Sequence, residues 1–174
     1  MILFPNWHTR TSIAGLLSFS TATASGCIAW WRLRNLPTIA GAIAWVAALE
    51  SLLLLDMAVN GRWILHENMM QFALHQGFYA QRRGIQIAGL TILIAVFAFW
   101  TVIVFRRLRG RRSATIAAWS ALLSFGMWCV ELVSLHAIDA VLYRKIGGFM
   151  VIAFVWMVLG ATTAISLQLA ANNV

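Results

Sequence analysis

The sequence predicts an all-α integral membrane protein, and three observations predict it. Apolar residues make up 61% of the chain and charged residues only 10%, too few polar side chains to cover a water-soluble domain. Five apolar stretches reach about 20 residues, the length a helix needs to cross the hydrocarbon core. Arginines cluster in the short loops between them, where they sit at lipid headgroups. In a chain of 174 residues these spans leave no room for a separate soluble domain, so residues 1–174 read as a single transmembrane domain.

The first span covers residues 12–31 and is rich in small residues from Ser18 to Gly26, which permit close helix contact in lipid. Ala24-Ser25-Gly26-Cys27 faintly resembles a lipoprotein processing site, but the apolar run continues through Trp31. The segment therefore reads as an uncleaved helix. Arg32, Arg34 and Pro37 end it, and a second span follows over 38–59, interrupted at Asn60-Gly61.

Residues 62–81 are too polar to span. Glu67, Gln71, His75 and Tyr79 recur every four positions, while Leu65, Met69, Phe72 and Phe78 help to form an apolar side, as in an interfacial amphipathic helix. The third span, 85–105, runs into Arg106, Arg107, Arg109, Arg111 and Arg112. A fourth occupies 114–135 and is expected to continue as helix to Tyr143. Arg144, Lys145, Gly147 and Gly148 then make a tight connection to the fifth, 149–169.

Placing loops on alternate sides groups Arg32, Arg34, Arg106, Arg107, Arg109, Arg111 and Arg112 against Arg10, Arg62, Arg82, Arg83, Arg144 and Lys145. The denser cluster, free of acids, reads as cytoplasmic, giving an outside N-terminus and a cytoplasmic C-terminus in a bacterial inner membrane. A weak duplication is also visible. Glu50 and Asp56 precede Tyr79, Arg82, Arg83 and the third span much as Glu131 and Asp139 precede Tyr143, Arg144, Lys145 and the fifth. Two such hairpins predict a pseudo-twofold four-helix bundle with the first helix peripheral.

The net charge of +8 is accounted for by headgroup contacts, which removes the case for nucleic-acid binding. Cys27 and Cys129 lie in different spans near opposite faces, too far apart for a disulfide, and read as small fillers. No nucleophile motif or phosphate loop occurs, and Gly147-Gly148 alone is a turn. Enzymatic activity is left open.

The residues that can carry chemistry gather toward the outward side. Glu50 and Glu131 lie inside spans, where a carboxylate must be protonated, paired, wet or coordinated; Asp56 is the third intramembrane acid, and Arg62, Arg82, Arg83, Arg144 and the histidines approach from the same side. His136, Asp139 and Tyr143 share one helix face, with Asp139 placed to fix the tautomer of His136. His66, Glu67, Met69, Met70 and His75 add donors suited to copper, zinc, iron or manganese. The same side chains also serve as ordinary helix-end hydrogen-bond partners.

Three functions follow. The first is a metal- or haem-binding redox, electron-transport or metal-handling component with a site of His66, Glu67, His75, His136 and Asp139, supported by Tyr79, Tyr143, Arg82 and Arg83. A haem would pair His136 with His66, His75 or His8. The second is a non-catalytic accessory subunit that packs against lipid, other membrane subunits or a second copy, which nine tryptophans and many small residues suit. The third is a proton-coupled carrier using Glu50 and Glu131.

Overall fold

A computed structural model of the chain describes residues 9–79, 82–133 and 136–173; for Thr9, Arg82, His136 and Ala137 it describes the backbone alone. It contains seven helices and one short hairpin: α1 (Thr9–Leu33), α2 (Pro37–Val59), α3 (Gly61–His75), α4 (Arg82–Arg107), α5 (Arg112–Val133), α6 (His136–Leu142), β1 (Lys145–Ile146), β2 (Phe149–Met150) and α7 (Val151–Asn172). Five of the helices, α1, α2, α4, α5 and α7, are long and apolar enough to cross a bilayer. The protein is an integral membrane protein of the helical class.

The breaks fall where the backbone demands them. Pro37 opens α2, where its missing N–H costs nothing. Asn60 adopts the left-handed conformation (φ 58°, ψ 38°), closing α2 and starting α3 without a linker. Gly147 and Gly148, both at positive φ, turn the hairpin in which Lys145 pairs with Met150 and Ile146 with Phe149.

One segment is shorter than the periodicity predicts. α3 stops at His75, and Gly77 at φ 76° turns the chain away; residues 80 and 81 of the expected helix lie outside the described residues. The expected continuation of the fourth span toward Tyr143 is helical on both sides of residues 134 and 135, as α5 to Val133 and as α6 from His136 to Leu142; residues 134 and 135 lie outside the described part.

The first helix is not peripheral. α1 packs along both α7 and α2, α7 is also flanked by α5, and α2 touches α5, so these four form the core. Glycines set the spacing. A Cβ on Gly26 would lie 2.8 Å from Ala47 Cβ, and one on Gly160 would lie 2.9 Å from the Ser18 carbonyl oxygen, so α1 meets both neighbours nearly backbone to backbone. The outlying helix is α4, which leans on α5 and reaches α2 through the Trp45–Trp100 stack, with centroids 5.2 Å apart. The extensive α5–α7 contact has no counterpart between α2 and α4, so the packing of the two expected hairpins is not equivalent.

The core divides into two apolar clusters. One, around Leu33, Ile39, Ile43, Val46, Leu108 and Leu167, lies toward the arginine-rich turns. The other, around Phe19, Leu53, Met57, Met150, Ile152 and Trp156, lies toward the opposite end. Glu50 sits between them, completely buried. Thr163 of α7, also on the seam, donates to its Oε1 at 3.2 Å.

Candidate functional site

The end of the bundle opposite the arginine-rich turns holds a buried ionic cluster, assembled by the α2–α3 corner. Asp56 lies in the last turn of α2. Because Asn60, in the left-handed conformation, ends α2 and starts α3 without a linker, the second residue of α3, Arg62, comes back to it. The Arg62 backbone N–H donates to Asp56 Oδ1 at 2.8 Å, satisfying one of the amides that a helix start leaves without an internal acceptor. The guanidinium reaches Asp56 Oδ2 from Nε at 3.6 Å and Glu131 Oε2 from Nη1 at 3.0 Å.

Arg62 is only 4% exposed. Its Nη2 touches Met57 Sδ at 3.6 Å, and its guanidinium carbon lies 5.0 Å from the centre of the Trp156 ring, a cation–π contact in a water-poor setting. The Trp156 indole also hydrogen-bonds Glu131. Charge in the cluster does not cancel. Two carboxylates face one guanidinium, and Asp139 adds its field to that of Glu131.

Trp63, His66 and Tyr143 close the cluster with Arg62 and Glu131 around a cavity of about 10 Å³. That is at the lower limit for one water molecule, so the cluster has no room for an organic substrate. Burial, and then the carboxylates of Glu131 and Asp139, push the Tyr143 phenol well above its ordinary range, against a smaller opposing effect of Arg62. It is a neutral hydrogen-bonding group. His66 Nδ1 lies 3.3 Å from the Leu132 carbonyl oxygen; since a carbonyl only accepts, the contact favours the tautomer protonated at Nδ1.

Of the other predicted site residues, Asp139 adds its charge to the field at Glu131 and Tyr143, and the rest of those described stand apart from the cluster. Glu67 is exposed and accepts from Gln71 Nε2 at 2.9 Å one turn along α3. His75 and Arg83 are exposed, and Tyr79 is half-buried beyond the end of α3. Asp139 is half-buried on α6. The side chains of His136 and Arg82 lie outside the described part. Among the described residues, no three His, Cys, Asp or Glu side chains stand close enough to hold a metal ion.

Sequence reasoning placed Arg62 among several cations available to the acids, but did not single it out. Its signal was position: it follows the Asn60-Gly61 break directly, so it alone is carried back over the end of α2. Trp156, Met57 and Thr163 were missed, since an apolar or hydroxyl residue inside a span carries no local mark of the acid it meets. No protein-family model, curated protein or solved structure matches this chain, and the functional reading rests on its own geometry.

Proposed function

We propose that the chain is a non-catalytic helical subunit that works by packing against another membrane protein through α4. One observation carries this reading. α4 holds the most apolar of the five spans, with a mean hydropathy of 2.6 against 1.3 to 1.9 for the others, yet only 6% of that stretch is buried against 39–50% elsewhere.

The pattern on its uncovered face supports a protein neighbour over lipid alone. Gly84, Ala88, Thr91, Ala95 and Ala98 are all exposed, and their alternating spacing of four and three places them on one stripe. The side facing α5 carries larger residues, among them Leu90, Leu93, Phe97 and Trp100. Small residues are where helices approach closely in a bilayer. A Cβ added at Gly84 would meet nothing within 4 Å, so packing within this chain gives no reason for a glycine there. The ionic cluster fits the same reading, because its cavity of about 10 Å³ has no room for an organic substrate.

A photo-crosslinking residue at Ala95, in membranes at native expression, is expected to give a discrete protein adduct. The same residue at Val158, exposed on α7, is expected to give lipid adducts. A product of twice the chain mass would identify a second copy as the neighbour. Lipid adducts alone from both positions would overturn the proposal.

A metal or haem at His66, Glu67, His75, His136 and Asp139, and proton transport through Glu50 and Glu131, remain rival proposals. Elemental analysis of protein purified without a polyhistidine tag tests the first. Stoichiometric iron or copper would favour it, and its absence would favour the packing subunit. Proton uptake in vesicles that is lost in Glu50→Gln would favour the carrier.

A further inference from the structure

The arginine end carries a second feature, independent of α4. A cavity of about 310 Å³ opens between the start of α2, the α4–α5 turn with the first turn of α5, and the end of α7. That is within the range of small-ligand sites. Its walls are of two kinds. Arg111, Arg112 and Ser113 line one side, and Asn173 closes another. The floor includes Ile39 and Ala170, both buried members of the apolar cluster at this end. The cavity therefore spans the boundary between core and headgroup region, with cations above and hydrocarbon below.

Charge identifies what such a cavity accepts. Arg32, Arg34, Arg106, Arg107, Arg109, Arg111 and Arg112 all belong to this end, whereas the chain's acids are Glu50 at mid-bundle and Asp56, Glu67, Glu131 and Asp139 toward the other. Both ion pairs among the described residues are made by Arg62 at that far end. Arg32 turns to the Asn172 amide oxygen at 3.0 Å, and Arg34 stacks over Trp31 at 4.0 Å. Arg111 and Arg112 thus line a cavity with no acidic side chain at their end of the molecule.

We propose that this cavity is a binding site for the phosphate of an anionic phospholipid, with Arg111 and Arg112 holding the headgroup and the Ile39–Ala170 floor receiving the first methylenes of the lipid. The apolar floor selects a lipid over free phosphate. The surplus of arginines selects an anionic headgroup over a zwitterionic one, whose own cation they repel.

The test is native mass spectrometry of the full chain in detergent, titrated separately with phosphatidylglycerol, phosphatidylcholine and inorganic phosphate. One saturable phosphatidylglycerol adduct is expected, retained at collision energies that strip phosphatidylcholine. Arg111→Gln with Arg112→Gln should weaken it about thirtyfold, whereas Arg106→Gln with Arg107→Gln removes the same charge outside the cavity and should change it little. Ser113→Trp, which fills the cavity and keeps every arginine, should also weaken it and covers the case in which the double variant fails to fold. Equal losses in both arginine pairs would reduce the effect to diffuse attraction and overturn the site. Equal retention of phosphatidylcholine, or displacement of the lipid by inorganic phosphate, would overturn it as well.

Discussion

Arg62 Nη1 lies 3.0 Å from Glu131 Oε2, tying the first turn of α3 to the last turn of α5. Both residues are buried, so the contact is judged by what happens when one partner is removed. Breaking a buried pair leaves an uncompensated charge and costs about 3–5 kcal/mol. Arg62→Leu is expected to lower stability by that amount. Arg62→Leu with Glu131→Leu should recover much of it, since Asp56 keeps its bond from the backbone N–H of residue 62. Denaturation in mixed micelles followed by tryptophan fluorescence reads the difference, and a double variant as unstable as the single would refute the pairing.

Thr163 supplies Glu50 with its hydrogen bond at the seam between the two apolar clusters. Thr163→Val preserves shape and removes that donor, leaving the carboxyl less satisfied at a cost of about 1–3 kcal/mol. Thr163→Ser retains the hydroxyl and should cost less. The same unfolding measurement ranks the two, and equal losses would assign the effect to the missing methyl group.

Gly160 and Gly41 make a matched contrast. A side chain at Gly160 runs into Ser18 across the α1–α7 contact, whereas one at Gly41 meets nothing within 4 Å. Gly160→Ala is expected to destabilise by about 1–3 kcal/mol through overpacking. Gly41→Ala should be neutral or slightly stabilising, because alanine favours helix. Thermal unfolding of the two variants side by side tests this.

Tyr143 gives the alkaline behaviour a sign. Its phenol keeps its proton in the folded protein beyond the pH at which an unfolded tyrosine, near about pH 10, releases it. The unfolded state then binds fewer protons, so this contribution to stability is complete below about pH 10 and declines above it. The chain has two tyrosines, so Tyr79→Phe isolates Tyr143. No tyrosinate absorbance is expected from that variant at about pH 11 until it unfolds. Adding Glu131→Gln should let the band appear at lower pH.

The sequence made the spans and the Asn60-Gly61 break legible because both are local: twenty apolar residues make a span in almost any context, and an Asn-Gly pair interrupts a helix by its own backbone preference. It misplaced α1 and α4 because lipid-facing and helix-facing surfaces are equally apolar. The position of α1 at the centre is set by Gly15, Gly26 and Gly160 meeting Met57, Ala47 and Ser18, pairings between residues distant in the chain. The polar cluster was half legible. That Asp56 and Glu131 need partners follows from their depth, but the choice of Arg62 depends on a corner whose angle comes from one residue's backbone. Of the expected ligand set of His66, Glu67, His75, His136 and Asp139, Glu67 and His75 are exposed on α3 whereas His66 borders the cluster, because α3 lays its residues along its own length; the side chain of His136 lies outside the described part.

Asn60 has a mechanical consequence. It ends α2 and begins α3 in a single left-handed residue, and the bond from Arg62 N–H to Asp56 braces the inside of the corner. The two helices therefore meet with no residue of loop between them, and α2 in turn lies against α1 where Gly26 meets Ala47. A displacement of α3 is expected to reach the helix that carries Glu50 with no connecting segment to absorb it.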